Sequence, residues 1–192
     1  MKIKISSKFS QSIQKLISEW VNFVQNKVSN LELNEDLTLA IKPIELEKDF
    51  AALNGITGYC PSAKLIRIGL DFSYPKLNQE IFALTLVHEL HHAHQEYQRP
   101  KTSQANLKET MIEEGLADRY CEQILGKRPV WSIDLNKSEI ERILALAKQD
   151  FDKPTTDGLY DRWFLYSSPK DNIPRWAGYA LGYHLSNGHS QT

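Results

Sequence analysis

From Ile81 to Tyr97 the chain runs seventeen residues without a glycine or a proline. Asn78 precedes the run as an N-cap, Glu80 complements the helix dipole in the first turn, and Pro100 ends the pattern. Phe82, Leu86, Leu90 and Ala93 form an apolar stripe with Val87 between, while Ile81, Leu84 and Thr85 extend the opposite side. Few faces are left for solvent. The run predicts a helix through the interior, which the rest of the chain has to cover.

Inside that helix stands His88-Glu89-Leu90-His91-His92. Each helical residue advances about 100°, so positions four apart sit within about 40° of each other, one turn along. His88 and His92 can therefore reach one metal ion, while Glu89 projects to the side, towards a water on that metal. This is the HExxH spacing of two ligands and a general base. Such a site needs a rigid, partly dry setting, and an interior helix supplies one. His91 and His94 lie on other faces and read as structural or surface histidines; Glu96 reads as part of a solvated helix end.

A third ligand is expected in Met111-Ile112-Glu113-Glu114-Gly115-Leu116-Ala117-Asp118, beyond a loop from Arg99 to Ala105 and on a helix folding back across the first. Glu114 completes a His₂Glu set and leaves the fourth position for water. Asp118, one turn on, shares its face and can accept a hydrogen bond from the far nitrogen of a ligating histidine, fixing its tautomer. Glu113 competes for the ligand role, but it points about 100° away and has no acidic residue four positions later.

These residues resemble a known family. HExxH followed by a helix bearing Glu114 and Asp118 resembles the thermolysin-type, or gluzincin, metallopeptidases, and Glu114-Gly115-Leu116-Ala117 resembles the wording of their aminopeptidase branch. Over roughly residues 55–185 the chain is similar to a group of bacterial proteins described as predicted zinc-dependent proteases of unknown function. That likeness rests on Thr85-Leu86-Val87-His88-Glu89-Leu90-His91-His92, on Glu114-Gly115-Leu116-Ala117, and on Pro174-Arg175-Trp176-Ala177-Gly178-Tyr179-Ala180-Leu181-Gly182-Tyr183. The resemblance implies a zincin-like fold, one Zn²⁺ per chain and hydrolysis of peptide bonds in a peptide or protein substrate. Whether the enzyme would cut within a chain or at its end stays open.

A last helix is expected from Pro174. Arg175, Tyr179 and Tyr183 fall on one face, and Trp176, Ala180 and His184 on the adjacent one. A tetrahedral oxyanion needs a hydrogen-bond donor, and the candidates are Tyr183, then Tyr179, then His184, against a purely packed aromatic face. Gly178 and Gly182 would let this helix approach another closely.

The remaining elements are coarser. Ser10 or Ser7 opens an amphipathic helix to about Val28; Leu37, Leu39 and Ile41 mark a half-buried strand; residues 55–62 read as turn-rich. Leu65 to Leu70 reads as a second strand whose free edge could pair with an extended peptide, with Arg67 and the Gly58-Tyr59 segment lining the approach. Ser138 with Glu141 suggests a capping box for a helix to about Phe151, followed by an irregular aromatic stretch from Asp152 to Asp171. The expectation is an α+β fold, with a small, mostly antiparallel sheet packed on several helices. It forms one domain over 1–192, comprising a helical segment at 1–30, sheet and metal helices at 36–126, and a helical part at 137–187.

Charge and composition exclude more than they assign. Basic and acidic residues number 23 and 24 with no long basic run, so nothing argues for nucleic acid or an anionic membrane surface. The first eight residues lack the apolar core of a signal peptide and no stretch approaches the ~20 apolar residues of a membrane span, so a cytoplasmic protein is expected. Cys60 and Cys121 are too few for a disulfide framework. The oligomeric state stays open. Two other classes also stand: a catalytically silent zinc-binding protein and a metal-free helical interaction domain.

Overall fold

The computed structural model describes residues 1–99 and 104–187. Pro100 and most of the loop expected between Arg99 and Ala105 lie outside the described residues. The chain packs as two compact units, one built from residues 1–99 and 120–129, the other from 104–119 and 130–187.

The first unit holds a four-stranded sheet in the order β1-β2-β4-β3: β1 (Lys2–Ile5), β2 (Thr38–Pro43), β3 (Ile56–Ser62) and β4 (Leu65–Leu70). Its helices are α1 (Gln11–Lys27) and α2 (Gln79–Gln98). The α+β class holds, but the sheet is mixed, not mostly antiparallel. β1 runs parallel to β2 and β2 parallel to β4, while β3 pairs antiparallel with β4. The reason is connectivity: α1 carries the chain back between β1 and β2, as a parallel pair requires, and the short link between β3 and β4 makes a hairpin.

Period-two alternation sends Leu39 and Ile41 of β2 and Ile66, Ile68 and Leu70 of β4 into the core. There they meet Ile17, Val21 and Val24 of α1 and Phe82, Leu86 and Leu90 of α2. Each such side chain contributes about 1.5–3 kcal/mol by leaving water. Trp20 stacks on Phe72, their centroids 6.0 Å apart, and tilts against Phe82 at 5.4 Å. Ser10, not Ser7, caps α1, its side chain accepting from the Ile13 N–H.

Two strands lie where none was expected. β1 occupies Lys2–Ile5, and β3 replaces the turn-rich reading of residues 55–62. β4 consequently has neighbours on both sides and no free edge; β3 is the rim on its side and β1 the rim on the other. Its register with β4 shifts between Tyr59 and Ser62, where Pro61 sits at the sheet edge.

The second unit contains α4 (Lys137–Ala147), α5 (Asp157–Tyr160) running into a π turn (Asp161–Leu165), and α6 (Ala177–Leu185). Leu107, Met111, Ile143, Trp163, Phe164 and Leu181 form its core. Helix α3 (Leu107–Leu125) belongs to this unit through Arg119 and to the first from Tyr120 onward. The capping box of α4 is Asn136 with Glu139, not Ser138 with Glu141, because the Asn136 amide oxygen takes the N3 N–H and the Ser138 hydroxyl bonds back to it. α6 starts at Ala177, not Pro174: Trp176 stands in the left-handed region at φ 65°, and the Arg175 Nε donates to the Leu165 carbonyl at 2.8 Å. Arg175 therefore does not share a helical face with Tyr179 and Tyr183.

Candidate metal centre

Helix α2 is fixed at its start by Asn78, whose side chain accepts from the Ile81 N–H at 3.0 Å. Every residue from Phe82 to His91 is buried, so the interior helix expected from its apolar periodicity is realised. One turn apart on it, the Nε2 atoms of His88 and His92 face each other at 3.0 Å, with the rings inclined at 79°. Two nitrogens on a tetrahedral zinc, each ~2.0 Å from it, keep a comparable separation of about 3.3 Å.

Glu89 is 6% exposed and lies beneath strand β3. A Cβ at Gly58 would stand 2.5 Å from Glu89 Oε1 and 2.8 Å from Thr85 Cγ2. A side chain at residue 58 would force Glu89 or Thr85 to shift, and the bare backbone of β3 passes close to this carboxylate.

α3 carries the other acids. At its start the Asn106 side chain accepts from the Glu109 N–H and the Glu109 carboxylate accepts from the Asn106 N–H, both at 2.9 Å. Glu114 is 9% exposed and Asp118 fully buried. The Trp131 indole donates from Nε1 to Asp118 Oδ1 at 3.1 Å. α6 packs on α3 backbone to backbone: a Cβ on Gly182 would clash with the Met111 carbonyl oxygen, and one on Gly115 would clash with the Gly182 carbonyl.

His88, His92 and Glu114 each offer one ligand atom, and these atoms all lie within 4.8 Å of one another. Among the described residues no other group of three metal-ligating side chains meets in this way, and Glu113 is not part of it. The residues fit a divalent cation in kind as well as in distance. The set combines two imidazoles with a carboxylate, as catalytic zinc prefers. Glu114 and Asp118 are buried one turn apart, and a cation beside Glu114 would offset the cost of burying negative charge there.

The residues expected to donate to an oxyanion are placed differently from one another. Tyr179 is partly buried, its hydroxyl 3.2 Å from that of Tyr160. Burial, then the neighbouring Tyr160 and Glu114, with Asp118 further down, push its phenol well above the usual 10. The Tyr183 ring is covered by the Arg119 guanidinium at 4.1 Å, and Arg119 also donates to the Tyr183 carbonyl. His184 is exposed. Of the other helix histidines, His91 is buried against the Tyr120 ring and His94 Nδ1 lies 2.6 Å from the Glu32 carbonyl oxygen.

Sequence reasoning placed Gly58 on the approach to the site, within a turn-rich segment, but missed its close approach to Glu89, and it missed the contact of Trp131 with Asp118. Gly58 looked like a turn residue. Trp131 follows Pro129 in a segment without periodicity, and nothing local ties it to an aspartate on another element.

A family model described as predicted Zn-dependent protease, domain of unknown function 2268, matches residues 8–188. No curated protein and no solved structure matches the chain.

Proposed function

We propose that this chain, which belongs to the predicted Zn-dependent protease family, is a gluzincin-type peptidase whose one zinc is held by His88, His92 and Glu114. The observation that carries this reading is the convergence of those three ligand atoms beside a buried Glu89. Bound zinc would supply Lewis-acid polarisation of a carbonyl and a water whose pKa falls toward ~7.

The protein's own groups do the rest. Glu89 accepts the proton of the attacking water and passes it to the leaving amine nitrogen as the C–N bond breaks. Tyr179 is best supported as donor to the oxyanion, because Glu114 and Asp118 lie within its electrostatic reach and its hydroxyl stands 3.2 Å from that of Tyr160. Tyr183, under its guanidinium, and His184, in solvent, have less support. An extended peptide would pair with the rim of the sheet at β3, where absence of a side chain at Gly58 lets backbone approach Glu89. This moves the expected docking strand from β4 to β3.

Glu89→Gln tests the mechanism. It keeps shape and ligands but removes the base, so turnover of a mixed peptide library should fall about 10²–10⁴-fold. Zinc content by elemental analysis should stay at the wild-type level. Undiminished hydrolysis by purified Glu89→Gln would remove Glu89 from the role.

A further inference from the structure

We infer that Trp131 is a positioning residue of the metal centre, acting through Asp118. The inference rests on the zinc reading above and concerns what holds the acid behind the ligand. Asp118 is wholly buried one turn after Glu114, on the same face of α3. A donor narrows the orientation of a buried carboxylate beyond what its rotamer and packing set, and it satisfies a group that is costly to bury unpaired.

The Trp131 N–H is such a donor, 3.1 Å from Oδ1. Trp131 is 9% exposed, and its ring packs 6.0 Å from that of Tyr179, so the indole has little freedom to turn away. One oxygen of Asp118 is thereby committed to the indole, which fixes the direction of the other. An indole also has one proton and cannot accept, so at Oδ1 the pair has a single polarity: the tryptophan gives and that oxygen accepts. An aspartate held as an acceptor is the form that can take a ring N–H from a ligating histidine.

Trp131→Phe keeps an aromatic ring and deletes the donor. Zinc affinity, measured by competition with a chromophoric chelator, should fall on the order of 10-fold, at the lower end of what loss of an outer-shell partner costs. Asp118→Ala should weaken zinc more, and Trp131→Phe added to it should cost nothing further. That non-additivity is the readout a merely packed tryptophan would not give, because a packing defect acts whether or not Asp118 is present.

Should Trp131→Phe fold poorly, the benzothienyl isostere of tryptophan at residue 131 exchanges N–H for sulfur at nearly constant volume and should show the same loss. Wild-type affinity in both substitutions, or equal losses with and without Asp118, overturns the inference. A wild-type protein that retains no zinc overturns the metal reading itself, and this inference with it.

Discussion

His91 shows how the site's surroundings tax its stability. It is the one imidazole of the pentapeptide outside the ligand set, and burial, followed by His92, His88 and His94, pushes its pKa down to about 2 from 6.5. The folded protein thus keeps His91 neutral while the unfolded chain protonates it near 6.5. Its contribution is complete above that pH and is lost as pH falls below it, at up to about 1.4 kcal/mol per pH unit. In metal-free protein, His91→Phe should keep the contact with Tyr120 and flatten this acid slope by about one proton between roughly pH 6 and 5, measured by urea unfolding. An unchanged slope would place the acid sensitivity elsewhere. The same stretch shows which residues can be read from sequence. His88 and His92 declare themselves because one helical turn is a local spacing. Gly58 and Trp131 do not, because each acts on a side chain of another element.

At the scale of elements, helices with a cap and a periodic face were legible, and backbone exceptions were not. Ser10 and Asn78 open α1 and α2 as their side chains suggest, whereas nothing in the letters of residues 174–177 announces the left-handed turn at Trp176 that delays α6. β3 was hidden by Gly58 and Pro61, which resemble turn residues but serve a close approach and a sheet edge. The glycines of α3 and α6 were legible only as permission to pack. Their contact is backbone on backbone, so Gly182→Ala drives a methyl into the Met111 carbonyl. It should cost at least about 2 kcal/mol of unfolding free energy. Gly158→Ala, with nothing within 4 Å of the added carbon, should be neutral or slightly stabilising. If Gly182→Ala is as mild as Gly158→Ala in the same urea titration, the helices are not held by this contact.

For the whole molecule the metal should be part of the stability, because its ligands are assembled only in the folded chain. At zinc ~1,000-fold above the dissociation constant the gain is about 4 kcal/mol, or roughly 10 °C in melting temperature for a chain of this size. Chelation should lower Tm by that order and zinc should restore it, while Glu114→Ala should respond far less. A Tm indifferent to chelator would separate the three side chains from any metal. Among the described residues no helix is long and apolar enough to cross a membrane.

The sheet has two unlike rims. A chain arriving at β1 meets the exposed Lys2 and Lys4. One arriving at β3 finds a regular run only from Ile56 to Tyr59, before the register shifts and Pro61 has no N–H to give. Among the described residues this sheet therefore offers two copies no long flat border along which to zip together, and the border proposed to take a short guest strand is the one passing over Glu89.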